Sequence, residues 1–356
     1  MKNNLIRKIN VSSKKLYLSG GEMFSRVGAR LAGNRFYCLA LEGKGTTDIC
    51  VNSDMTISCN CRDYDGTGII GDLEKESWED VFATGGARRF RQALAQGRFP
   101  TPHCLRCRQL RSAPREEVEK RLESYSLSPP GIMVENTAGC NYSCIGCANA
   151  EMLNTRKKLS MSPEDMGKVA RIIHDHKIGH VDFFKLGEPF LSKNILEEMT
   201  ILKELNPELD IITSTNGVFL DNEKKMEAAL MFDTVYFAIS GATQASLERY
   251  QAGGDFARAF GAMKRLVQLR KVRGLKKPWI FWRLLVFNWN DSRQETRLAI
   301  NLAREAQVDM LQFVGAVNPL YGLSWRFYTS SFWRELGPRQ GMTRMVHANG
   351  LTKINL

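Results

Sequence analysis

The stretch Cys140-Asn141-Tyr142-Ser143-Cys144-Ile145-Gly146-Cys147 puts three cysteines on one short segment. Three thiolates on a single loop can hold three corners of an iron-sulfur cube, and the fourth iron is then open to another molecule. Catalytic zinc sites follow the same logic, with three protein ligands and one open position. Zinc is therefore the alternative, because Cys144-x-x-Cys147 and Cys104-x-x-Cys107 could pair into a four-cysteine ribbon.

The nine cysteines form two groups, and none follows Cys147. Besides the triad they are Cys38, Cys50, Cys59, Cys61, Cys104 and Cys107. Structural core cysteines would be scattered along the chain, so the grouping indicates metal sites. An odd number of cysteines, without an apolar N-terminal signal segment, favours the reducing cytoplasm over a disulfide framework. No apolar run is long enough to predict a membrane span.

Apolar, β-rich runs alternate with helical segments in the second part of the chain. The runs are residues 132–135, 180–186, 209–213, 234–239, 279–287 and 310–314. Strands that alternate with helices predict an α/β fold with a parallel sheet covered by helices. The pattern leaves an open doubly wound sheet and a closed or partial barrel as alternatives.

Capping residues predict where two of the helices begin. Ser162 is an expected N-cap, with Pro163 at the first helical position. Ser292 and Glu295 predict a capping box for a later helix. The apolar face expected for that helix carries Leu298, Leu302 and Ala306.

The cysteine triad after the first strand resembles the signature of the radical S-adenosylmethionine (SAM) superfamily, and further motifs of that family follow at later strand ends. They are Gly187-Glu188-Pro189, Ser214-Thr215-Asn216-Gly217 and Ile239-Ser240-Gly241-Ala242-Thr243. The resemblance implies a partial (β/α)6 barrel. It also implies that the open iron of a 4Fe-4S cluster binds SAM. One electron then yields a 5′-deoxyadenosyl radical, which takes a hydrogen atom from the substrate.

The resemblance also implies roles for individual residues. The SAM-binding candidates are Gly187, Glu188, Pro189, Ser214, Thr215, Asn216, Ser240 and Arg283. Arg283 lies inside the fifth predicted strand, where a charge is costly unless it is paired. Its expected partner is an anion, either the SAM carboxylate or a substrate phosphate. Lys185, just before the glycine motif, is the second candidate catalytic cation.

The segment from Cys38 to Cys107 resembles the SPASM or twitch auxiliary-cluster domain of this superfamily. The resemblance implies a second 4Fe-4S cluster held by Cys38, Cys104, Cys107 and one of Cys59 and Cys61, with Cys59 favoured. An extended strand would point both of these cysteines to the same face, so geometry excludes neither. Cys50 is expected to be buried. A bolder hypothesis makes Cys50 or Cys61 the hydrogen donor of an epimerase.

The expected domain organisation puts the auxiliary module before the barrel. Residues 1–112 form the auxiliary domain, 113–130 a linker, 131–318 the partial barrel and 319–356 a tail that packs on the barrel. A fully ligated second cluster suits electron transfer, so dehydrogenation or epimerisation is expected. The resemblance favours a small-molecule substrate such as a sugar, aminoglycoside or nucleotide sugar, possibly with a phosphate. Peptide modification is the alternative, and a zinc-stapled binding module is the remote one.

The net charge of +12 predicts attraction to anions. A dense basic run extends from Lys264 to Lys277, before the fifth strand, and is therefore expected at the bottom of the barrel. This run is a hypothetical docking site for an acidic electron donor such as a flavodoxin or ferredoxin. A nucleic-acid partner is disfavoured, because RNA methylation would use a cysteine beyond the triad, and the barrel has none.

Overall fold

The computed structural model describes Arg26, residues 28–337 and residues 339–347, which divide into two compact units. Unit I contains Arg26 and residues 28–139 and 148–211. Unit II contains residues 140–147, 212–337 and 339–347. The cysteine loop is thus part of unit II, whereas the chain segments on either side of it belong to unit I.

The strands of unit I build one sheet and a separate pair. They are β1 (Arg35–Cys38), β2 (Cys50–Val51), β3 (Thr56–Ser58), β4 (Ile69–Asp72), β5 (Leu110–Ala113), β6 (Gly131–Val134) and β7 (His180–Asp182). β1 and β5 pair antiparallel, and the others lie in the order β7-β6-β2-β3-β4. β6 is parallel to both of its neighbours, so the cysteine-rich segment shares a sheet with the first strand of the α/β region.

The helices of unit I cover this sheet and connect its strands. They are α1 (Trp78–Ala83), α2 (Gly86–Ala95), α3 (Arg115–Lys120), α4 (Asn149–Leu153), α5 (Pro163–Asp175) and α6 (Ile195–Leu205). α5 begins as predicted, because Ser162 and Asp165 exchange the two hydrogen bonds of a capping box. Residues 113–130, the expected linker, contain α3.

Unit II is built on parallel strands with an antiparallel edge. β8 (Asp210–Thr215) starts in unit I and continues in unit II, followed by β9 (Thr234–Ala238), β10 (Trp279–Val286), β11 (Met310–Gly315), β12 (Arg339–Gln340) and β13 (Thr343–His347). Their order is β12-β13-β11-β10-β9-β8, and β8 to β11 are parallel. The predicted α/β fold with a largely parallel sheet is confirmed, and the strands are those of a partial barrel.

Alternation along β10 defines the two faces of this sheet. Ile280, Trp282 and Leu284 are buried on the helix-covered face, whereas Arg283 is only partly buried on the opposite face. The helices of unit II are α7 (Glu223–Leu230), α8 (Gln244–Glu248), α9 (Phe256–Val272), α10 (Arg293–Ala306), α11 (Trp325–Thr329) and α12 (Ser331–Glu335). Among the described residues, no helix has the length and apolar character needed to cross a membrane.

The start of α10 corrects two sequence expectations. Ser292 caps the helix by accepting from the Glu295 N–H, but Glu295 does not return the bond. Its carboxylate instead accepts from the Ala242 N–H at 3.0 Å and from the Ser246 hydroxyl. The predicted apolar face was also wrong at Leu298, which is 37% exposed. Ala299, Ile300 and Ala303 are buried in its place, because the sheet lies under that side of the helix.

The segment after β11 packs on unit II through its aromatic residues. Trp333 of α12 lies edge-on to Phe313 of β11, with ring centroids 5.1 Å apart. Its indole N–H donates to the Asp291 carbonyl at 3.2 Å. β13 adds to the outer edge of β11, so residues 343–347 extend the sheet.

Candidate active site and cysteine clusters

The loop that carries Cys140, Cys144 and Cys147 is held within unit II by backbone and side-chain hydrogen bonds. The Ser143 and Ile145 N–H groups donate to the Ala252 and Tyr250 carbonyls at 3.1 and 3.0 Å. Asn216 donates to Asn141 at 2.8 Å, and Asn318 donates to the Gly146 carbonyl at 2.8 Å. All three cysteines stay partly exposed. A loop fixed at both its flanks with accessible thiols is suited to hold a cluster.

Gly146, between Cys144 and Cys147, lies tightly against a later segment of the chain. A Cβ at this position would lie 2.7 Å from the Asn318 carbonyl oxygen. Real Cβ atoms do not approach backbone oxygens so closely. The neighbouring Asn318 therefore excludes any side chain at position 146.

A second group of thiols lies in unit I around one small cavity. Cys38, Cys59, Cys104 and Cys107 all line it. Burial raises the pKa of Cys104 to about 11 and that of Cys59 well above its usual value, and the neighbouring thiols raise both further. Such thiols stay protonated until a metal binds and releases the protons. The donor set fits a fully ligated iron-sulfur cluster.

Cys61 does not line this cavity. The chain turns after Cys59, because the Asp63 N–H donates to the Asn60 carbonyl at 3.0 Å. Burial raises the pKa of Cys61, Asp48 and Cys107 raise it further, and Lys185 lowers it. Of the two alternatives left open by the sequence, the structure brings Cys59 to the other three thiols.

Arg26 stabilises the Cys104–Cys107 turn, a contact that the sequence did not predict. Its guanidinium donates to the Cys104 carbonyl at 2.7 Å and to the Cys107 carbonyl at 2.6 Å. A positive charge beside two candidate ligands favours their thiolate forms. A lone arginine far from the cysteines carries no sequence signal for this role.

The spacing of the cysteines separates zinc from a larger cluster. Three sulfurs bound to one zinc ion at about 2.3 Å would be about 3.8 Å apart. Among the described residues, the only group of three candidate ligands with donor atoms all within 4.8 Å is Asp63, Asp65 and His103. Neither cysteine group is that compact, which favours iron-sulfur clusters. The Asp-His group is explained by hydrogen bonds of its own, including His103 to Asp65 at 3.0 Å.

The Gly187-Glu188-Pro189 turn is pressed against the chain that follows β6. The Glu188 N–H donates to the Gly139 carbonyl at 2.8 Å. A Cβ at position 187 would lie 2.0 Å from the Thr137 carbonyl oxygen, so only glycine fits. β7 ends at Asp182, earlier than the predicted strand.

Glu198 stabilises this turn through hydrogen bonds, and the sequence analysis did not identify it. It is fully buried on α6, and its carboxylate accepts from Ser192 at 2.5 Å and from Asn136 at 2.7 Å. Asn136 also donates to the Pro189 carbonyl at 3.1 Å. Burial raises the pKa of Glu198 to about 7. Nothing in the local sequence distinguishes Glu198 from the exposed glutamates of a helix.

Replacing Glu198 by glutamine is expected to stabilise the protein above pH 7. The native carboxyl keeps its proton up to about pH 7, whereas the unfolded chain releases it near pH 4.5. Stability therefore falls as the pH rises between these values and is lowest above them. Glu198→Gln removes this loss and should add about 1 to 3 kcal/mol at pH 8. Urea unfolding at pH 5 and pH 8 measures it, and an equal effect at both would contradict it.

The remaining predicted SAM-binding residues lie at strand ends in unit II. Thr215 accepts from the Gly217 N–H at 3.0 Å, and Asn216 accepts from the Val218 N–H at 3.1 Å. Ser240 is buried, and its N–H donates to Gln251 at 2.7 Å. Ser214 lies on β8, opposite Tyr236 in the register. These hydrogen bonds fix the loops at the carboxyl ends of β8 and β9.

The two candidate cations are each positioned by a second side chain. The Arg283 guanidinium stacks on the Tyr236 ring at 3.8 Å from its centroid, and its Nε donates to Gln312 at 3.1 Å. In unit I, Lys185 donates to Asn52 at 2.8 Å. Such contacts restrict both cations to defined positions.

Asn52 also links Lys185 to a buried ion pair. Arg156 donates to Glu135 at 2.6 Å and to Asn52 at 2.9 Å, and both ionised side chains are fully buried. Cys50 is buried as expected, and its thiol lies 3.4 Å from the Asn52 oxygen. Glu135 is therefore a structural partner of Arg156, which the sequence analysis did not foresee.

The basic run between Lys264 and Lys277 is already neutralised in large part. Lys264 pairs with Glu305, Arg270 with Asp309, Arg273 with Glu227 and Lys277 with Asp233. A set of paired cations attracts an acidic protein less than its sequence suggests.

Residues 134–275 match the family model described as the Radical SAM superfamily. The matched segment includes Cys140, Cys144 and Cys147, so residues 134–275 carry a radical SAM domain. The first motif and the fold that the sequence predicted thus agree with an independent comparison.

Several solved structures resemble parts of the chain. Streptococcus suis SuiB bound to precursor peptide SuiA is 14% identical over 78% of this chain and 60% of that chain, with a TM-score of 0.42. BtrN in complex with AdoMet and 2-DOIA is 26% identical over 31% and 45%, with a TM-score of 0.28. Archaeal TYW1 is 14% identical over 45% and 58%, with a TM-score of 0.32. The chain spans only 45% to 60% of these proteins. Curated protein sequences gave no significant match.

Proposed function

We propose that the protein is an enzyme with two iron-sulfur clusters that begins its reaction by reductive cleavage of SAM. The observation that carries this proposal is the presence of two different thiol groups. The loop of Cys140, Cys144 and Cys147 offers three thiols, and the cavity of unit I is lined by four. A three-thiol set leaves one iron open, whereas a four-thiol set leaves none.

The residues around the open site then have distinct tasks. When bound, the cluster and SAM supply a 5′-deoxyadenosyl radical that takes a hydrogen atom from a substrate C–H bond. The Gly187-Glu188-Pro189 turn, fixed against Gly139, receives the amino group of SAM. Arg283, stacked on Tyr236, binds a carboxylate or phosphate.

The proposed substrate is a small polar molecule such as a sugar, aminoglycoside or nucleotide sugar. Arg283 supplies a cation for a substrate phosphate and is held in place by Gln312. Lys185, in unit I, is the second candidate cation and is held in place by Asn52. A cluster ligated by four thiols can accept the electron that a substrate radical loses when it is oxidised. This supports dehydrogenation, or epimerisation with return of the electron.

The proposed location is the reducing cytoplasm, which keeps cysteine thiols in the reduced form. All nine cysteines lie in the described part of the chain, and no disulfide joins any two of them.

The test is anaerobic SAM cleavage by the reconstituted protein. With dithionite as reductant, we expect 5′-deoxyadenosine. A panel of sugars, aminoglycosides, nucleotide sugars and short peptides should raise its yield for the correct class only. Deuterium transfer from a labelled substrate into 5′-deoxyadenosine would identify the attacked C–H bond. Absence of 5′-deoxyadenosine from a fully iron-loaded protein would refute the proposal.

Cys59→Ala and Cys61→Ala are expected to differ in the auxiliary cluster. Cys59 lines the four-thiol cavity and Cys61 does not. Cys59→Ala should therefore lose most of the auxiliary iron, about four per chain, whereas Cys61→Ala keeps it. Iron and sulfide analysis after reconstitution measures this, with Cys50→Ala as the matched control. Iron loss in Cys61→Ala alone would reverse the assignment.

A further inference from the structure

A row of aromatic rings in unit II runs from the cysteine loop to the surface. The Tyr250 and Phe287 ring centroids are 4.6 Å apart, and those of Phe287 and Trp289 are 4.4 Å apart with the planes within 4° of parallel. Tyr321 follows, with its centroid 6.4 Å from that of Trp289. Phe287 and Trp289 belong to the segment just after β10, and Phe287 is fully buried.

The inner end of this row touches the cysteine loop directly. The Tyr250 carbonyl accepts from the Ile145 N–H at 3.0 Å. Ile145 lies between Cys144 and Cys147 in the chain, so Tyr250 contacts the part of the loop that joins two of the three candidate ligands.

The outer end of the row is exposed and positively charged. Tyr321 is 57% exposed. The Arg249 guanidinium is exposed and lies over the Trp289 ring, 4.8 Å from its centroid. No carboxylate pairs with Arg249 among the residues that the structure describes. Arg326 borders the same loop, but it pairs with the buried Asp291 carboxylate at 2.8 Å, so Arg249 supplies the positive charge of this area. We call the area formed by Arg249, Trp289 and Tyr321 the Trp289 surface.

The burial of the Trp289 indole N–H carries a free-energy cost. Its indole N–H is buried and has no hydrogen-bond partner within the described ranges. An unsatisfied buried donor costs about 1 to 3 kcal/mol, which a phenylalanine would avoid. A Cβ on Gly322 would lie 2.7 Å from the indole ring, so this position is kept open for Trp289. Packing alone does not account for this choice of residue.

We infer that the Trp289 surface docks a small acidic one-electron redox protein. The inference rests on the proposed function, since reductive SAM cleavage needs an electron from outside the chain. The donor loses one electron and the group held by Cys140, Cys144 and Cys147 gains it, with no bond formed or broken. The rings act as a packed path, and they are not themselves reduced. Exposed aromatic and arginine side chains are typical of interface hot spots.

The charges favour this surface over the basic run that the sequence suggested. The cations of that run are mostly paired with carboxylates, as Lys264 is with Glu305. The Arg249 guanidinium lies over the Trp289 ring and not against a carboxylate of the described residues. Its positive charge can therefore attract an anionic partner. The Trp289 surface is connected to the cysteine loop through the Phe287 and Tyr250 rings.

The test measures cluster reduction by stopped-flow absorbance in the reconstituted holoenzyme. The donor is a flavodoxin in its hydroquinone form, and dithionite serves as the small-molecule reductant. Arg249→Glu should lower the second-order rate with flavodoxin about tenfold at low salt, and less at high salt, because salt screens exposed charges. Tyr321→Ser should lower it without the salt dependence. Lys276→Glu, the same charge change on the basic run, should leave the rate unchanged.

Reduction by dithionite, which needs no docking surface, distinguishes a damaged cluster from a lost docking contact. Equal dithionite rates in all variants show that the clusters are intact, so equal flavodoxin rates would then overturn the inference. A loss confined to Lys276→Glu would do the same and restore the basic run. If Arg249→Glu loses iron, Arg249→Gln and Tyr321→Ser repeat the test. If the wild type shows no cluster on the cysteine loop, the proposed function itself fails. Concentration-dependent dimerisation through this surface in sedimentation would assign it to a second copy and overturn the inference.

Discussion

A variant with Cys140, Cys144 and Cys147 all changed to alanine is expected to make no 5′-deoxyadenosine above background. These cysteines are the candidate ligands of the cluster with the open iron, so their loss removes the group that binds SAM. Iron should fall from about eight to about four per chain, because the thiols around the unit I cavity remain. Iron and sulfide analysis, together with 5′-deoxyadenosine measured by chromatography, would show both effects.

The matched control for this variant is Cys50→Ala. Cys50 is fully buried in β2 and contacts Asn52, so it tests a cysteine substitution outside both thiol groups. It should keep about eight irons and wild-type SAM cleavage. The two-cluster interpretation would be wrong if the triple variant still held eight irons. Zinc in place of iron would support the metal-stapled binding module considered from the sequence.

Arg156→Met is expected to lower the free energy of unfolding by about 3 to 5 kcal/mol. The substitution leaves the Glu135 carboxylate buried without its charged partner, and Glu135 is fully shielded from water. It also removes the hydrogen bond to Asn52, which holds Lys185. Urea unfolding followed by circular dichroism would measure the loss.

Two further variants make this prediction specific to the buried pair. Lys157→Ala removes an adjacent cation that pairs with Asp72 but is 59% exposed, so it should change stability little. The double variant Glu135→Gln with Arg156→Met removes the uncompensated charge and should be more stable than Arg156→Met alone. A double variant less stable than the single one would show that desolvation of Glu135 is not the cause.

The three-cysteine motif is an example of a site that local sequence alone can predict. Cys140, Cys144 and Cys147 lie on one loop, so their spacing alone brings them together. The alternation of apolar runs with helical segments likewise predicted a parallel sheet, but it left an open sheet and a barrel as alternatives. The N-cap at Ser162 is confirmed for a related reason, since its partner Asp165 is one turn away.

Contacts between segments that are far apart in the chain could not be predicted from local sequence. Arg26 reaches the Cys104 carbonyl across 78 positions, and Arg156 reaches Asn52 across 104. Glu295 offered a local partner in its capping box, yet it bonds to Ala242 and Ser246. In each case a polar group is satisfied by whichever partner the packed chain presents, and sequence distance does not determine that partner.

The sequence by itself determined the α/β class and the loop that carries Cys140, Cys144 and Cys147, since each depends on residues within one loop or one strand-helix repeat. Only the tertiary structure decided that Cys59 joins the cavity of Cys38, Cys104 and Cys107, because a turn after Cys59 directs Cys61 elsewhere. It alone decided that Glu198 is buried under the Gly187 turn and that the charges of the basic run are paired. Burial and pairing are properties of segments brought together by folding, and no local pattern encodes them.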